Sequence, residues 1–178
     1  MENESKGTFT DPRDGKVYKT VEIGGVVWFA ENLNFAAEGR SVCYNNDPAN
    51  GDKYGRLYDW ETALKACPAG FHLPTNDEWT ALVDYAGGEE TAGTKLKSAE
   101  GWNNNGNGTD DYGVSALPGG YGSWDGSFYN AGNYGYWWSA TEYNASNAWI
   151  RRMGYGNECV DRDDYGKSYL FSVRCVKY

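Results

Sequence analysis

With 178 residues, a net charge of −9 and a pI near 4.6, the chain is long enough to bury roughly 70% of the surface that its unfolded form exposes. It is too acidic for a phosphate-binding surface, which needs clustered Lys and Arg, so nucleic acid and anionic membranes are excluded as partners; no apolar run approaches the ~20 residues that span a bilayer. Aromatic residues make up 16% of the chain, with eight Trp and fifteen Tyr, and rings of this kind serve equally as core filler and as contact surface.

After a polar leader over residues 1–8, the chain reads as one domain over 9–178. Val17, Val21 and Ile23 alternate with polar residues, Gly24-Gly25 follows, and Val26-Val27-Trp28-Phe29 completes an N-terminal hairpin. Residues 40–56 are rich in Asn and Gly and read as a polar loop. Trp60, Ala63, Leu64 and Cys67 then recur at helical spacing until Pro68 stops them. The strongest local signal comes next. Thr75 can cap the first free N–H groups while Glu78 reaches back to the cap backbone. Trp79, Leu82, Val83 and Ala86 form one apolar stripe that Gly87-Gly88 ends, which predicts a helix with Trp79 inward. Residues 91–97 add a further helical turn.

Residues 101–134 hold too many turn formers for long strands, yet rings such as Trp102, Tyr112, Tyr121, Trp124, Phe128 and Tyr129 imply a packed segment. Strands are predicted over 136–141, 148–153 and 168–178, the last alternating Tyr169, Phe171, Val173 and Cys175 against Ser172 and Arg174. Asp161-Arg162-Asp163-Asp164-Tyr165-Gly166 sets oxygen donors before a Gly, as a calcium loop begins, but no bidentate Glu follows. It is read as a solvated acidic turn without a metal.

Trp28-Phe29-Ala30-Glu31-Asn32-Leu33-Asn34, Tyr54-Gly55-Arg56-Leu57-Tyr58-Asp59-Trp60, Cys67-Pro68-Ala69-Gly70-Phe71-His72-Leu73-Pro74-Thr75, Ala116-Leu117-Pro118-Gly119-Gly120-Tyr121, Trp137-Trp138-Ser139-Ala140-Thr141 and Phe171-Ser172-Val173-Arg174-Cys175-Val176 stand in this order. Together they resemble the Fibrobacter succinogenes major paralogous domain family, from about residue 9 to the C-terminus. The resemblance implies an α+β, C-type-lectin-like fold of small antiparallel sheets, two helices and long irregular loops. It also implies bacterial surface lipoproteins and adhesins, and so an extracellular or cell-surface location. The second helix start and the last strand meet in lectin-like folds, which implies a Cys67–Cys175 disulfide; closing so long a loop contributes about 4–5 kcal/mol in the chain-entropy model. Cys43 and Cys159 either form a second bridge or stay free, since relatives often carry a second cysteine close after the position of Cys43, where this chain has Gly51.

Leu73-Pro74-Thr75 with Glu78-Trp79 also resembles the formylglycine-generating enzymes. Those oxidases bind copper through a closely spaced reactive cysteine pair, whereas Cys159 and Cys175 stand sixteen residues apart, so the chemistry does not carry over. The single histidine, His72, reads as structural at the helix entrance, and no pattern pairs carboxylates across a sugar. The sugar-binding triplets of calcium-dependent lectins are missing from the sequence, and Ser123-Trp124-Asp125-Gly126 is a faint echo. No catalytic residue and no cofactor are assigned.

Recognition remains. Residues 144–170 combine Tyr and Trp with Asn, Asp and Ser, the composition of paratopes. The expected ligand-binding residues are Trp149, Arg151, Tyr155, Asn157, Asp161, Asp163, Asp164, Tyr165 and Tyr169, projecting into solvent toward an unidentified protein or glycan. Members of the family are also targets of diversity-generating retroelements, which randomise adenines in a C-terminal stretch. On that reading Tyr155, Asn157, Cys159, Asp161, Asp163, Asp164, Tyr165 and Tyr169 vary. The alternative function is a structural or pilus and adhesin assembly subunit.

Overall fold

The computed structural model describes residues 5–178. In chain order the strands and helices are β1 (Lys6–Thr10), β2 (Val17–Ile23), β3 (Val26–Phe29), β4 (Ser41–Val42), α1 (Pro48–Tyr54), β5 (Leu57–Tyr58), α2 (Trp60–Ala66), α3 (Asn76–Tyr85) and α4 (Ala92–Leu96). β6 (Tyr121–Gly122), β7 (Phe128–Tyr129), β8 (Tyr134–Glu142), β9 (Asn147–Gly154), β10 (Val160–Gly166) and β11 (Val176–Lys177) follow. The architecture is mixed α+β, with several small antiparallel sheets.

The predicted N-terminal hairpin forms. Gly24 and Gly25 both take positive φ (58° and 79°), the geometry that a two-residue turn between twisted strands requires. The sheet order is β1-β2-β3-β11, so the last strand joins the first hairpin. The polar leader is corrected here: residues 1–4 lie outside the described residues, but Lys6, Gly7 and Thr8 belong to β1 and pair with Val21, Thr20 and Lys19.

α3 carries both halves of its capping box: Glu78 N–H donates to Thr75 Oγ1 at 3.1 Å and Thr75 N–H to Glu78 Oε2 at 2.8 Å. Its stripe buries Trp79, Leu82 and Val83, and Trp79 meets the Trp28 ring at 4.9 Å between centroids. α2 starts at an Asp59 cap, but its buried stripe is Trp60, Ala63 and Ala66, while Leu64 turns outward. A helix this short presents only a narrow stripe, and Ala66 fits the close approach better than Leu64.

Three predicted segments differ in the structure. Residues 40–56 are not one loop: they hold β4, a 3₁₀ turn over Tyr44–Asn46 and α1. The overlooked signal was Asp47-Pro48, where the Asp47 carboxylate accepts the Ala49 N–H at 2.9 Å and proline occupies the first turn. The acidic run Asp161–Gly166 is not a turn but most of β10, in unbroken register with β9. Residues 168–178 are not a continuous strand. Leu170, Phe171 and Ser172 make single bridges to Gly122, Tyr58 and Trp137, and regular pairing resumes at β11.

Two-sided burial explains that last difference, since Ser172 and Arg174 lie as deep as Phe171 and Val173. The Arg174 guanidinium donates to Asn32 Oδ1 at 2.7 Å, to the carbonyls of Phe29 and Val114 at 2.9 and 2.6 Å, and to Ser115 O at 3.0 Å. Burial pulls its pKa down to about 10, which leaves it cationic at neutral pH. Carbonyl dipoles thus satisfy the charge while it locks the N-terminal sheet to the loop over 114–115.

Cys67 and Cys175 are disulfide-bonded, as the resemblance implied. A second bridge between Cys43 and Cys159 does not form; both thiols are free. Cys43 is buried against α1, where a Cβ on Gly51 would sit 2.6 Å from its Sγ.

Candidate functional site

Of the eight Trp, six are core: Trp28, Trp60, Trp79, Trp102, Trp137 and Trp138. Several indole N–H groups end on buried acceptors, such as Trp137 on Asn32 Oδ1 at 2.9 Å and Trp138 on Tyr58 O at 2.7 Å, as buried indoles must. Trp124 at 65% exposure and the half-buried Trp149 remain for other uses.

The three-stranded sheet β10-β9-β8 decides which residues meet. Side chains alternate across a strand, so residues paired in register share a face. Tyr136, Arg152 and Asp161 form one row, and Trp138, Ile150 and Asp163 the next. This first face thus carries Tyr134, Tyr136, Arg152, Asp161, Asp163 and Tyr165. Phe171 packs beneath, 5.3 Å from both Tyr136 and Tyr165. The β6–β7 hairpin adds Tyr121 and Tyr129, whose rings are 5.4 Å apart, and its tip carries Trp124. Tyr169 lies 5.7 Å from Tyr165, and Tyr155 stands edge-on to Tyr134 at 6.1 Å.

Arg152 donates to Asp161 Oδ2 through Nη2 at 3.1 Å. Burial works against its charge, but that hydrogen bond and the carboxylate's charge raise its pKa overall. Asn130 donates to Tyr136 Oη at 3.0 Å. Burial pushes the Tyr136 phenol up to about 12, with the Asn130 hydrogen bond opposing it. Burial, then the neighbouring Tyr169 and Tyr165, raises Tyr121 as well. These two phenols stay protonated near neutrality and supply no base or nucleophile; half-buried Tyr121 offers a ring and hydroxyl, whereas Tyr136, 4% exposed, belongs to the core beneath it.

The second face carries Asn147, Trp149, Arg151, Arg162 and Asp164, and its Trp137, Met153 and Val160 close onto the core with α3. Arg151 is corrected as a ligand-binding residue. It is 1% exposed, and its guanidinium reaches Glu89 Oε1 at 3.0 Å and Thr80 Oγ1 at 2.7 Å. Burial lowers its pKa, partly offset by the Glu89 hydrogen bond. Trp149 packs edge-on to Tyr143 at 4.8 Å, with the Arg162 guanidinium 5.0 Å over its ring. Asp164 accepts from Asn147 Nδ2 at 2.7 Å.

The expected ligand-binding residues therefore divide. Tyr155, Asp161, Asp163, Tyr165 and Tyr169 gather on or beside the first face, Trp149, Arg151 and Asp164 belong to the second, and exposed Asn157 lies in the turn before β10. The proposition that residues 155–170 project wholly into solvent is also corrected, because Val160 and Leu170 are buried and most of the rest are half-buried. Tyr121, Tyr129, Tyr134, Tyr136 and Arg152 were not anticipated as neighbours of this set. Alternation of Tyr134, Tyr136 and Trp138 in β8 was the available signal, but it does not name the partner strand.

Elsewhere, His72 Nε2 meets both Glu78 carboxylate oxygens, at 2.8 and 3.0 Å. The thiol pair of a formylglycine-type oxidase is not free here, because Cys175 is bonded to Cys67. Among the described residues no three His, Cys, Asp or Glu side chains group closely enough to hold a metal ion. No helix among them is long and apolar enough to cross a membrane.

The family model of the Fibrobacter succinogenes major domain matches residues 21–177, nearly the whole chain. The chain belongs to this family. The match runs from β2 to β11 of this Fibrobacter succinogenes major domain and so takes in both faces of the β8–β10 sheet. No curated protein gives a significant match.

Proposed function

We propose that this domain is a non-catalytic ligand-recognition module of C-type-lectin-like architecture, displayed on the bacterial cell surface, and that it binds a protein or glycan through the tyrosine-rich face. The observation that carries this reading is the convergence of half-buried Tyr121, Tyr134, Tyr165 and Tyr169 and exposed Tyr129 around the buried Tyr136 ring, beside the Arg152–Asp161 pair. Tyrosine gives large contact area with few torsions, and Arg and Asp supply directional polar contacts. Protonated phenols and a histidine tied to Glu78 favour binding over turnover. The Cys67–Cys175 bond suits an oxidising compartment outside the cytoplasm. Under retroelement diversification, variation would concentrate at Tyr155, Asp161, Asp163, Tyr165 and Tyr169 rather than at Asp164.

The test is a glycan and protein array probed with the domain, with and without calcium, beside Trp124→Ala, Tyr129→Ala and Arg152→Ala. Binding that weakens about tenfold or more in these variants is expected, the equivalent of one good contact. Binding unchanged in all three, or turnover of an arrayed compound, overturns the proposal.

A further inference from the structure

β10 is paired with β9 on one side and with no strand on the other among the described residues. Val160 identifies the backbone groups on that outer edge, because its N–H crosses it to Glu89 O at 2.8 Å. Backbone groups alternate sides along a strand, so those of Arg162, Asp164 and Gly166 also point outward. The start of the edge is covered, with Gly93 N–H donating to Glu158 O at 2.8 Å. At Arg162 and Asp164 no backbone group among the described residues covers it, and the Asp164 N–H goes to the Oδ1 of its own neighbour Asp163 at 2.9 Å; at Gly166 it closes again, where the carbonyl accepts the Tyr169 N–H at 3.0 Å. The β9 register runs without a shift from Val160 to Gly166, so the edge is regular, and it contains no proline.

We propose that this edge docks a basic peptide segment in extended conformation, which adds to β10 as a further strand. Main-chain hydrogen bonds to Arg162 and Asp164 would hold it, and alternate side chains would fall beside the tyrosine-rich face and beside Trp149. Charge selects the occupant. Asp161 is bridged to Arg152 at 3.1 Å, but Asp163 and Asp164 carry no ion pair among the described residues, and an incoming Lys or Arg would reach them from the new strand. A second copy of this chain fits less well. Two-fold pairing centred on Asp163 would oppose two carboxylates, and each chain carries a net charge of −9. The inference goes beyond the tyrosine-face reading because it uses backbone rather than rings.

Fluorescence polarisation at low ionic strength tests it with the whole chain and a labelled peptide of alternating Lys and Thr. The expected result is saturable binding, absent for the Glu–Thr counterpart. Methylating alternate peptide nitrogens, or replacing Asp164→Pro in the domain, should each weaken it about tenfold or more, as loss of edge hydrogen bonds requires. Proline at 164 removes an N–H that points away from β9, a position where edge strands tolerate it. Asp163→Asn with Asp164→Asn, which leaves the backbone intact, should weaken binding if the proline variant misfolds. Absence of binding, or equal binding by the methylated peptide, overturns the proposal; so does self-association that Asp164→Pro abolishes. Peptide binding that persists in Trp124→Ala separates this edge from the tyrosine face.

Discussion

The two faces of the β8–β10 sheet are built on the same three strands and are closed by different partners. α3 closes one over Trp137, Met153 and the buried Arg151; α2 and Phe171 close the other over Tyr136, Trp138 and Ile150 and leave Tyr134, Arg152, Asp161, Asp163 and Tyr165 half-buried at its margin. The difference teaches where chemistry is available. A buried guanidinium such as Arg151 has its Nη1 and Nη2 groups committed to Glu89, Thr80 and Asn76 and its Nε left without a partner among the described residues, whereas Arg152, one residue on, holds a half-exposed partner in Asp161. Adjacent arginines thus differ in role because the pleat turns them to opposite sides.

The contrast can be broken first at its most buried point. Trp137→Ala empties a packed site and removes the indole donor to Asn32, so it should lower unfolding free energy by about 3–5 kcal/mol in urea titrations. Arg151→Ala is expected to lose about 2 kcal/mol through hydrogen bonds to charged and polar partners, measured the same way. An Arg151 variant as stable as the parent would place this residue with the tyrosine-rich face.

α3 brings a pH dependence to the face it closes. Burial alone would raise the Glu78 pKa, but the Thr75 N–H and then His72 hold it below its ordinary 4.5. A carboxyl depressed in the folded state stabilises fully above its unfolded pKa, and that contribution fades as pH falls through the folded value. Glu78→Gln should therefore cost about 1 kcal/mol at neutral pH, the scale of a lost cap. The gap to the parent should close in acid, below 4.5. A gap that persists there would assign the effect to packing.

The smallest change is expected on the tyrosine-rich face. Tyr129→Ala should stay within ~0.5 kcal/mol of the parent, while it weakens ligand capture. A large loss of stability instead would make Tyr129 a core residue and erase the contrast.

Local chemistry made much of this molecule legible. Thr75 with Glu78, the Gly24-Gly25 turn and the Trp79 stripe each act within a few residues, so their elements could be read directly from the chain. Asp47-Pro48 carried the same type of signal for α1 and was masked by the surrounding Asn and Gly. β10 was hidden for another reason. Its Asp-rich stretch has poor strand propensity, and only pairing with β9 makes it extended.

By itself, then, the sequence determined the helix starts, the first hairpin, the family and, through it, the Cys67–Cys175 link. Tertiary structure alone decided that Cys43 and Cys159 stay apart, that Arg174 is buried among carbonyls, and which face each residue of β9 and β10 occupies. Capping and turns depend on neighbours in the chain, whereas facing and burial depend on strand register and on what packs above the sheet. A shift of one residue in that register would exchange the two faces.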